Sequence, residues 1–556
     1  MLSFISSLKE QIEQILTLQL TKAIGAKELP EAEFDGFLVE YTPNKPFGDF
    51  ASNVALFCAK RFKLPPQELA ELILKDIDLS RTEFSAVNFK NGFLNFRLSA
   101  AFYSKALEQI LEAKADYGTV NVGNGQKIVV EFVSANPTGP MHLGNARGGA
   151  LGDCLSNIMQ KAGFKVTKEF YINDAGNQIE VFKKSLDARF VQEVKGQDAV
   201  SFPEDGYHGE DVIALVREFI KENGTKLIDL PTAEREQVLV DYALPKNIAA
   251  IKETLDLYRV NYDVWFSETY LHKNGCVQEV IEKLTKKGLT YKKDGAVWYR
   301  FSGAKDGDKD EVLVRANGNY TYFAADIAYG YNKFVTRGFD EAINILGADH
   351  HGHIERLQHA FFDLGIDPNK FKVVIMQVVR LIRDGEVVKM SKRTGKSVTL
   401  AELLDEVPID AARFFFGFRE AGSHLDFDLN LAVEQSAKNP IYYIQYAHAR
   451  ICSLIKNTQN KPQIESKLEC ESEQDLIKSL MAFPEIIKSA AFNLDPSLIN
   501  KYLLELATKF HKFYNECRVL TESGEVFKAR FKLCKAVKQT LQNGLELLKI
   551  SAPEVM

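Results

Sequence analysis

The stretch KIVVEFVSANPTGPMHLGNARGGALGD, residues 127–153, runs from a continuous apolar, β-branched segment straight into glycines and then into a helical pattern over Ala146 to Lys161. An apolar run without polar alternation is the mark of a strand buried on both faces of a parallel sheet. In an open α/β sheet the ligand crevice lies beyond the carboxyl ends of the strands, where a strand-to-helix turn offers unpaired backbone N–H groups to anions. The turn here is His142-Leu143-Gly144-Asn145. Its spacing is not the G-x-G-x-x-G dinucleotide fingerprint, and it lacks the G-K-[S/T] of a P-loop. Taken alone it is equally a loop histidine among packing glycines.

Working outward, FKVTKEFYI (164–172), EAINILGADHHGH (341–353) and FKVVIMQVVRLI (371–382) repeat the strand pattern and alternate with helical segments. That alternation predicts an α/β, Rossmann-type doubly wound parallel sheet over residues 125–402. A charged helical stretch, around 183–259, is expected as an insertion into it. Residues 1–115 mix an opening helix, short strands such as GFLNFRLS and a closing helix, AAFYSKALEQILEAK, and are expected to form an α+β domain. The Gly-rich YGTVNVGNGQ that follows is expected to be a linker. From Leu403 onward strand signals disappear, so 403–556 is expected to be an all-α stem and domain.

Composition narrows the function classes. A chain of 556 residues is too long for one core. Seven cysteines with no C-x-x-C pair argue against a zinc ribbon or a disulfide framework and fit a reducing, cytosolic setting. Lys9, Glu10 and Glu13 interrupt the apolar residues of the first helix, which reads as amphipathic rather than as a signal peptide. No apolar run approaches the ~18 residues of a membrane span. The net charge is −6, yet Ser436 to Met556 carries 17 Lys and Arg against 13 Asp and Glu. Such an asymmetry permits an RNA-binding tail without requiring one.

A second element, VVKMSKRTGK (387–396), sets Lys389 and Lys392 about a Met-Ser pair with Arg393 beside them. Most basic runs of this kind are solvated loops. Joined to an imidazole at a helix start across a nucleotide crevice, however, two lysines suit the charge of a transferring or departing polyphosphate. HLGN resembles the HIGH motif, and KMSKR the KMSKS motif, of class I aminoacyl-tRNA synthetases, and the surrounding blocks are similar to arginyl-tRNA synthetases. EFVSANPTGPMHLGNARGGALGD with EFYINDAGNQI resembles the family's first strand-helix unit and next strand. HLDFDLNLAVEQSAKNPIYYIQYAHARI resembles the junction into its anticodon-binding domain. NKPFGDFASNVA with GFLNF resembles its tRNA-contacting N-terminal domain, and ISAPEVM its C-terminus. The resemblance covers nearly the whole chain.

What it implies is a two-step reaction: L-arginine attacks the α-phosphorus of ATP, with Mg²⁺ brought by the nucleotide, and the arginyl group then passes to the 3′-terminal adenosine of an arginine tRNA. His142, Asn145, Lys389 and Lys392 take the catalytic positions, and Gly144, Ser391 and Asp349 join them around ATP. Asn145 stands where the family motif has its second histidine, so it donates one amide hydrogen bond but carries no charge. Gly139 occupies the place where some members, lacking the KMSK lysine, carry another. Asn136 resembles the residue holding the amino acid's α-amino or carboxyl end, and Glu268, Tyr322 and Asp326 resemble a guanidinium pocket. A planar guanidinium calls for carboxylates, and Tyr322-x-x-x-Asp326 puts a ring and an acid on one helix face. By themselves, Tyr322 could be core, Asp326 could pair with Lys333 or Arg337, and Glu268 could sit on a surface strand. His350 and His353, in a cluster holding four of the ten histidines, could touch nucleotide or substrate; no settled zinc ligand set is expected there. No protein nucleophile and no tightly bound metal are expected. A monomer in the cytoplasm, with no membrane contact, completes the expectation. The rival readings are a class I synthetase for another amino acid, a nucleotidyltransferase with related chemistry, and a non-catalytic RNA-binding relative.

Overall fold

The computed structural model describes residues 3–42, 48–301, 310–348, 351–388 and 398–556. Its centre is a five-stranded sheet in the order Phe371–Met376, Glu341–Gly347, Lys127–Glu131, Lys165–Ile172, Val264–Ser267, with every neighbouring pair parallel. The chain builds outward from Lys127–Glu131 through two strands, then returns to its other side for the last two. The order therefore reverses between Lys127–Glu131 and Glu341–Gly347, the place where such sheets bind ligands. Ile128, Val129 and Val130 are fully buried, as an apolar run covered on both faces must be. Helix Leu143–Lys161 returns across the sheet so closely that a Cβ on Gly152 would lie 2.1 Å from the Phe132 ring. Only glycine allows that approach.

Helices Asn177–Lys195, Glu210–Asn223 and Thr232–Leu257 fill the connection between the second and third strands of the sheet and share a core of their own, including Phe182, Phe190, Val212 and Leu239. The N-terminal segment places helix Phe4–Gly25 with a four-stranded antiparallel sheet spanning Val39 to Leu98. Helices Pro440–Thr458, Glu471–Phe492, Ser497–Glu516 and Lys528–Leu547 form the C-terminal bundle.

Three expectations are corrected. FKVVIMQVVRLI is not one strand: it breaks at Gln377, whose N–H bonds the Ala421 carbonyl at 3.0 Å, and Val379–Arg383 joins a separate sheet. Its parallel partner there is Leu425–Asp428, so residues 403–556 are not all-α. Leu425 and Phe427 are buried while Asp426 points out, a two-residue period over four residues that is too short to stand out from helical flanks. A second short pair, Gln463–Ile464 with Val526–Phe527, lies farther on. The run 117–126 is no slack linker, because Val120, Gly123 and Gly125 donate to the carbonyls of Lys161, Ala162 and Gly163. The strands Thr290–Lys293, Ala296–Tyr299 and Glu311–Val314 form an antiparallel sheet that the sequence pattern had not separated from its surroundings.

One buried cation fastens the C-terminal bundle to the sheet. Arg413, with a fully buried side chain, donates to Asp153 at 2.5 Å, to the Leu548 carbonyl at 2.8 Å and to the Tyr258 carbonyl at 2.9 Å, while Lys168 holds the other oxygen of Asp153 at 2.6 Å. Arg413→Met would leave these acceptors buried without their donor, at an expected cost of about 3–5 kcal/mol. Urea unfolding reads this directly; an unshifted midpoint would make Arg413 a bystander.

Candidate active site at the strand ends

The first strand does not run smoothly into its helix. Val133 and Ser134 both take positive φ, 69° and 40°. A β-branched residue in that region is a genuine outlier, costing of order 1–3 kcal/mol unless its surroundings enforce it. They do: Ser134 Oγ donates to Glu131 at 3.3 Å and accepts the Tyr171 N–H at 3.1 Å, and the Ser134 carbonyl accepts the Asn173 amide at 3.2 Å. The kink turns the chain into a cavity of about 920 Å³ at the reversal point, lined by Ser134, Asn136, His142, Asn145 and Thr399 on one side. Tyr207 and His208, in the loop before helix Glu210–Asn223, and Asp211 on that helix close the other side. Helix Thr232–Leu257 supports the wall, with the Asn247 amide bonding the Pro137 carbonyl at 2.8 Å.

His142 is exposed at the N-terminal end of helix Leu143–Lys161, where unpaired N–H groups and the helix dipole favour an anion. The Asn145 Oδ1 accepts the His142 backbone N–H at 3.0 Å, so this side chain fixes the helix start and leaves its amide hydrogens as what it can offer a ligand. A side chain on Gly144 would meet nothing within 4 Å, so the crevice is open above the turn. A side chain on Gly139 would start 3.3 Å from the Asp211 carboxylate. Lys389, Ser391, Lys392, Asp349 and His350 lie outside the described residues. The flanks of the lysine segment are described: it leaves strand Glu386–Val388, and it ends at Thr399, which bridges His142, while the Leu400 N–H bonds the Met141 carbonyl at 2.9 Å.

A second group gathers at the ends of the next two strands. Glu268 follows strand Val264–Ser267 as the first residue of helix Glu268–Lys273 and is only 3% exposed, so it is not a surface strand residue. Asp174 builds that corner, accepting from Ser267 Oγ at 2.5 Å and from the Thr269 N–H at 2.8 Å. Burial pushes the Glu268 carboxyl above its ordinary range; His272, 3.5 Å away, opposes the shift, and the nearby charge of Asp326 adds to it. Tyr322 and Asp326 lie one turn apart on helix Tyr322–Tyr331, with Tyr322 about half exposed and set against Gly176. Lys333 and Arg337 are not partners of Asp326. Lys333 is held by Glu131 and Asn344, and Arg337 by Glu169, whereas Asp326 meets His353 Nε2 at 2.7 Å.

Asn136, His142 and Asn145 thus share one cavity, and Glu268, Tyr322 and Asp326 form a neighbouring cluster joined to it through Ser134 and Asn173. Asp174, His272, Thr399 and the residues from Tyr207 to Asp211 were not singled out from sequence. For Asp174 the INDAGNQ block carried a usable signal, an acid with a turn glycine at a strand end; the insertion residues carried none. Among the described residues no helix is long and apolar enough to cross a membrane.

The chain also resembles known proteins along its length. Residues 106–425 match the model of the tRNA synthetases class I (R) catalytic domain, residues 6–98 the arginyl tRNA synthetase N terminal domain, and residues 444–556 the DALR anticodon binding domain. The arginine–tRNA ligases of Acetivibrio thermocellus and of Caldanaerobacter subterraneus are each 49% identical, over 100% of both chains. Among solved structures, the Thermus thermophilus arginyl-tRNA synthetase shares the fold with a TM-score of 0.73 at 22% identity, over 99% of this chain and 100% of that one. With a catalytic model spanning more than half its length and relatives about half identical from end to end, the chain belongs to the arginyl-tRNA synthetases, a family of class I aminoacyl-tRNA synthetases.

Proposed function

We propose that the protein is an arginine–tRNA ligase whose two groups of strand-end residues divide the work. In the first step a carboxylate oxygen of L-arginine bonds to the α-phosphorus of ATP, and the bond to the departing pyrophosphate breaks. In the second, the terminal ribose hydroxyl of the tRNA takes the arginyl group, its proton is lost, and AMP leaves. The protein need supply little covalent chemistry, so positioning and electrostatics carry the rate. His142 and the helix start face the phosphates, with the Asn145 amide as a neutral donor, Lys389, Ser391 and Lys392 across from them, and Gly144 leaving room. Asp349 takes the ribose hydroxyls. Mg²⁺, arriving with ATP, neutralises phosphate charge. Asn136 holds the amino-acid end of arginine, Tyr322 covers its stem, and Glu268 and Asp326 read its guanidinium. The protein is taken to act as a cytoplasmic monomer feeding protein synthesis.

The observation that carries this reading is a helix start open to an anion beside two neighbouring acids, buried Glu268 and half-buried Asp326, whose side-chain contacts are the imidazoles of His272 and His353. An anion-binding crevice alone would suit any nucleotidyl transfer; the acids select a cation. Pyrophosphate exchange, run over the amino acids with tRNA present, should proceed with arginine only. Exchange with a neutral amino acid would favour a synthetase of another specificity, and none at all would favour a non-catalytic relative.

A pH dependence tests Glu268. Its folded pKa is raised, so the carboxylate that should pair with arginine is lost as pH falls through that raised value. KM for arginine should then climb about tenfold per pH unit while kcat holds. In Glu268→Gln the climb should vanish and KM should be high throughout. The same carboxylate destabilises the arginine-free protein once pH rises above its folded pKa, so arginine should raise Tm more there than below it. A KM in the unaltered protein that stays flat as pH is lowered to the acid limit of the folded state would remove Glu268 from guanidinium recognition.

A further inference from the structure

We propose that Cys470 and Cys517 are a reversible oxidation site: under peroxide they join as a disulfide that staples the start of helix Glu471–Phe492 to the end of helix Ser497–Glu516. Cys470 is the residue just before the first helix and Cys517 the residue just after the second. Both therefore lie on half-helical backbone that can adjust. Their sulfurs lie within 4.8 Å of each other. One χ1 step between staggered wells moves a sulfur by roughly 3 Å, a displacement of the size that the gap requires.

The two thiols are unlike in the way a sensor pair requires. Cys470 is exposed, and Arg530 Nη2 stands 3.8 Å from its sulfur, a cation beside the atom that meets the oxidant. Cys517 is buried, and the Ser472 hydroxyl lies 3.4 Å from its sulfur. Burial holds it as the neutral thiol. Cys470 thiolate attacks hydrogen peroxide; an S–O bond forms, the O–O bond breaks, and hydroxide leaves, giving a sulfenic acid. The Cys517 sulfur then attacks Cys470 Sγ, the S–O bond breaks, and the thiol proton departs with the hydroxyl as water. Overall two thiols and one peroxide give one disulfide and two waters.

Glu473 completes the trio, and a metal centre is the competing use of it. Its carboxylate is already committed: one oxygen accepts from Arg530 Nε at 2.6 Å and the other from the Cys470 N–H at 2.8 Å. A guanidinium wedged against two of three candidate ligands repels a cation, and the set falls short of the four ligands of a structural zinc. The same ion pair leaves the two sulfurs free to react while fixing the backbone around them.

The test uses the full chain. Treated with a few equivalents of hydrogen peroxide, trapped with N-ethylmaleimide and digested without reductant, it should yield a peptide linking Cys470 to Cys517. The free-thiol count in denaturant should fall by two per chain from the seven of the reduced protein, and dithiothreitol should restore it. The cross-link should raise the melting temperature of the bundle by on the order of 5 °C. Cys470→Ser should abolish the cross-link and the shift while leaving tRNA charging unchanged. In Cys517→Ala, Cys470 should instead be captured as sulfenic acid by dimedone, a readout that survives even if the buried substitution loosens the fold. Oxidation of Cys470 to sulfinic acid without the link, a link through another cysteine, or purified protein holding one chelatable zinc that shields both thiols would each overturn the proposal.

Discussion

Lys392→Ala is expected to lower the rate of arginyl-adenylate formation about 10²–10³-fold while moving KM for arginine less than threefold. One charged donor aimed at developing phosphate charge is worth that much when it acts chiefly in the transition state, and such a contact appears in kcat rather than in ground-state affinity. The support lies in what surrounds the segment. It leaves one strand of a three-stranded sheet at Val388 and rejoins the structure at Thr399, which bridges the backbone of His142 itself. The chain carrying Lys389 and Lys392 is therefore tethered at the helix start where the phosphates are proposed to lie. Arg380→Ala is the control: Arg380 sits on the same sheet but forms an exposed pair with Asp426, so its loss should leave the rate within twofold. Single-turnover formation of the adenylate separates this step from tRNA transfer. An unchanged rate in Lys392→Ala would show that the basic segment is a solvated loop after all.

The parallel sheet was legible in the sequence because its strands are short apolar runs at regular intervals between helical segments. The crevice followed from it, because the reversal of strand order puts a ligand at the end of KIVVE whatever the ligand is. Legibility failed where tertiary pairing overrode local pattern. FKVVIMQVVRLI reads as one strand, yet the chain crosses from one sheet to another inside it, and nothing in the apolar run marks Gln377 as the break. Leu425–Asp428 becomes a strand only because Val379–Arg383 lies beside it. The strain at Val133 and Ser134 was invisible for a related reason: valine argues against positive φ, and only Ser134 Oγ, held between Glu131 and Tyr171, makes it tolerable there. For the pocket, residue types identified Glu268 and Asp326 as candidates, but not that Lys333 and Arg337 are already engaged by Glu131 and Glu169. That engagement leaves His353 as the contact of Asp326, and an imidazole is a partner that an incoming guanidinium can share or displace.

Asp326→Asn is expected to reduce kcat/KM for arginine by about 10²–10³ while leaving citrulline nearly unaffected. Citrulline matches arginine in shape but ends in a neutral ureido group, so in the unaltered pocket it would leave Glu268 and Asp326 facing each other without a cation. Sites built for polar recognition reject such analogues by ~10⁴ or more, and once bound arginine covers the part-exposed Asp326 carboxylate, truncating one member of that charge pair costs about 2–5 kcal/mol. Asparagine keeps the size and one acceptor of Asp326 but not its charge, so arginine loses much of its advantage over citrulline and the discrimination should shrink by the same two to three decades. Lysine sharpens the inference, because it keeps the charge but presents a point ammonium where arginine offers two acids a planar fork of donors. It should be a poor substrate of the unaltered protein and gain nothing from the substitution. His353→Ala provides the cross-check: if His353 only orients the Asp326 carboxylate, its loss should weaken arginine and preserve most of the arginine-to-citrulline ratio. Were Asp326→Asn to discriminate as well as its parent, the guanidinium would be read by Glu268 alone, and the helix Tyr322–Tyr331 would serve the pocket only as a wall.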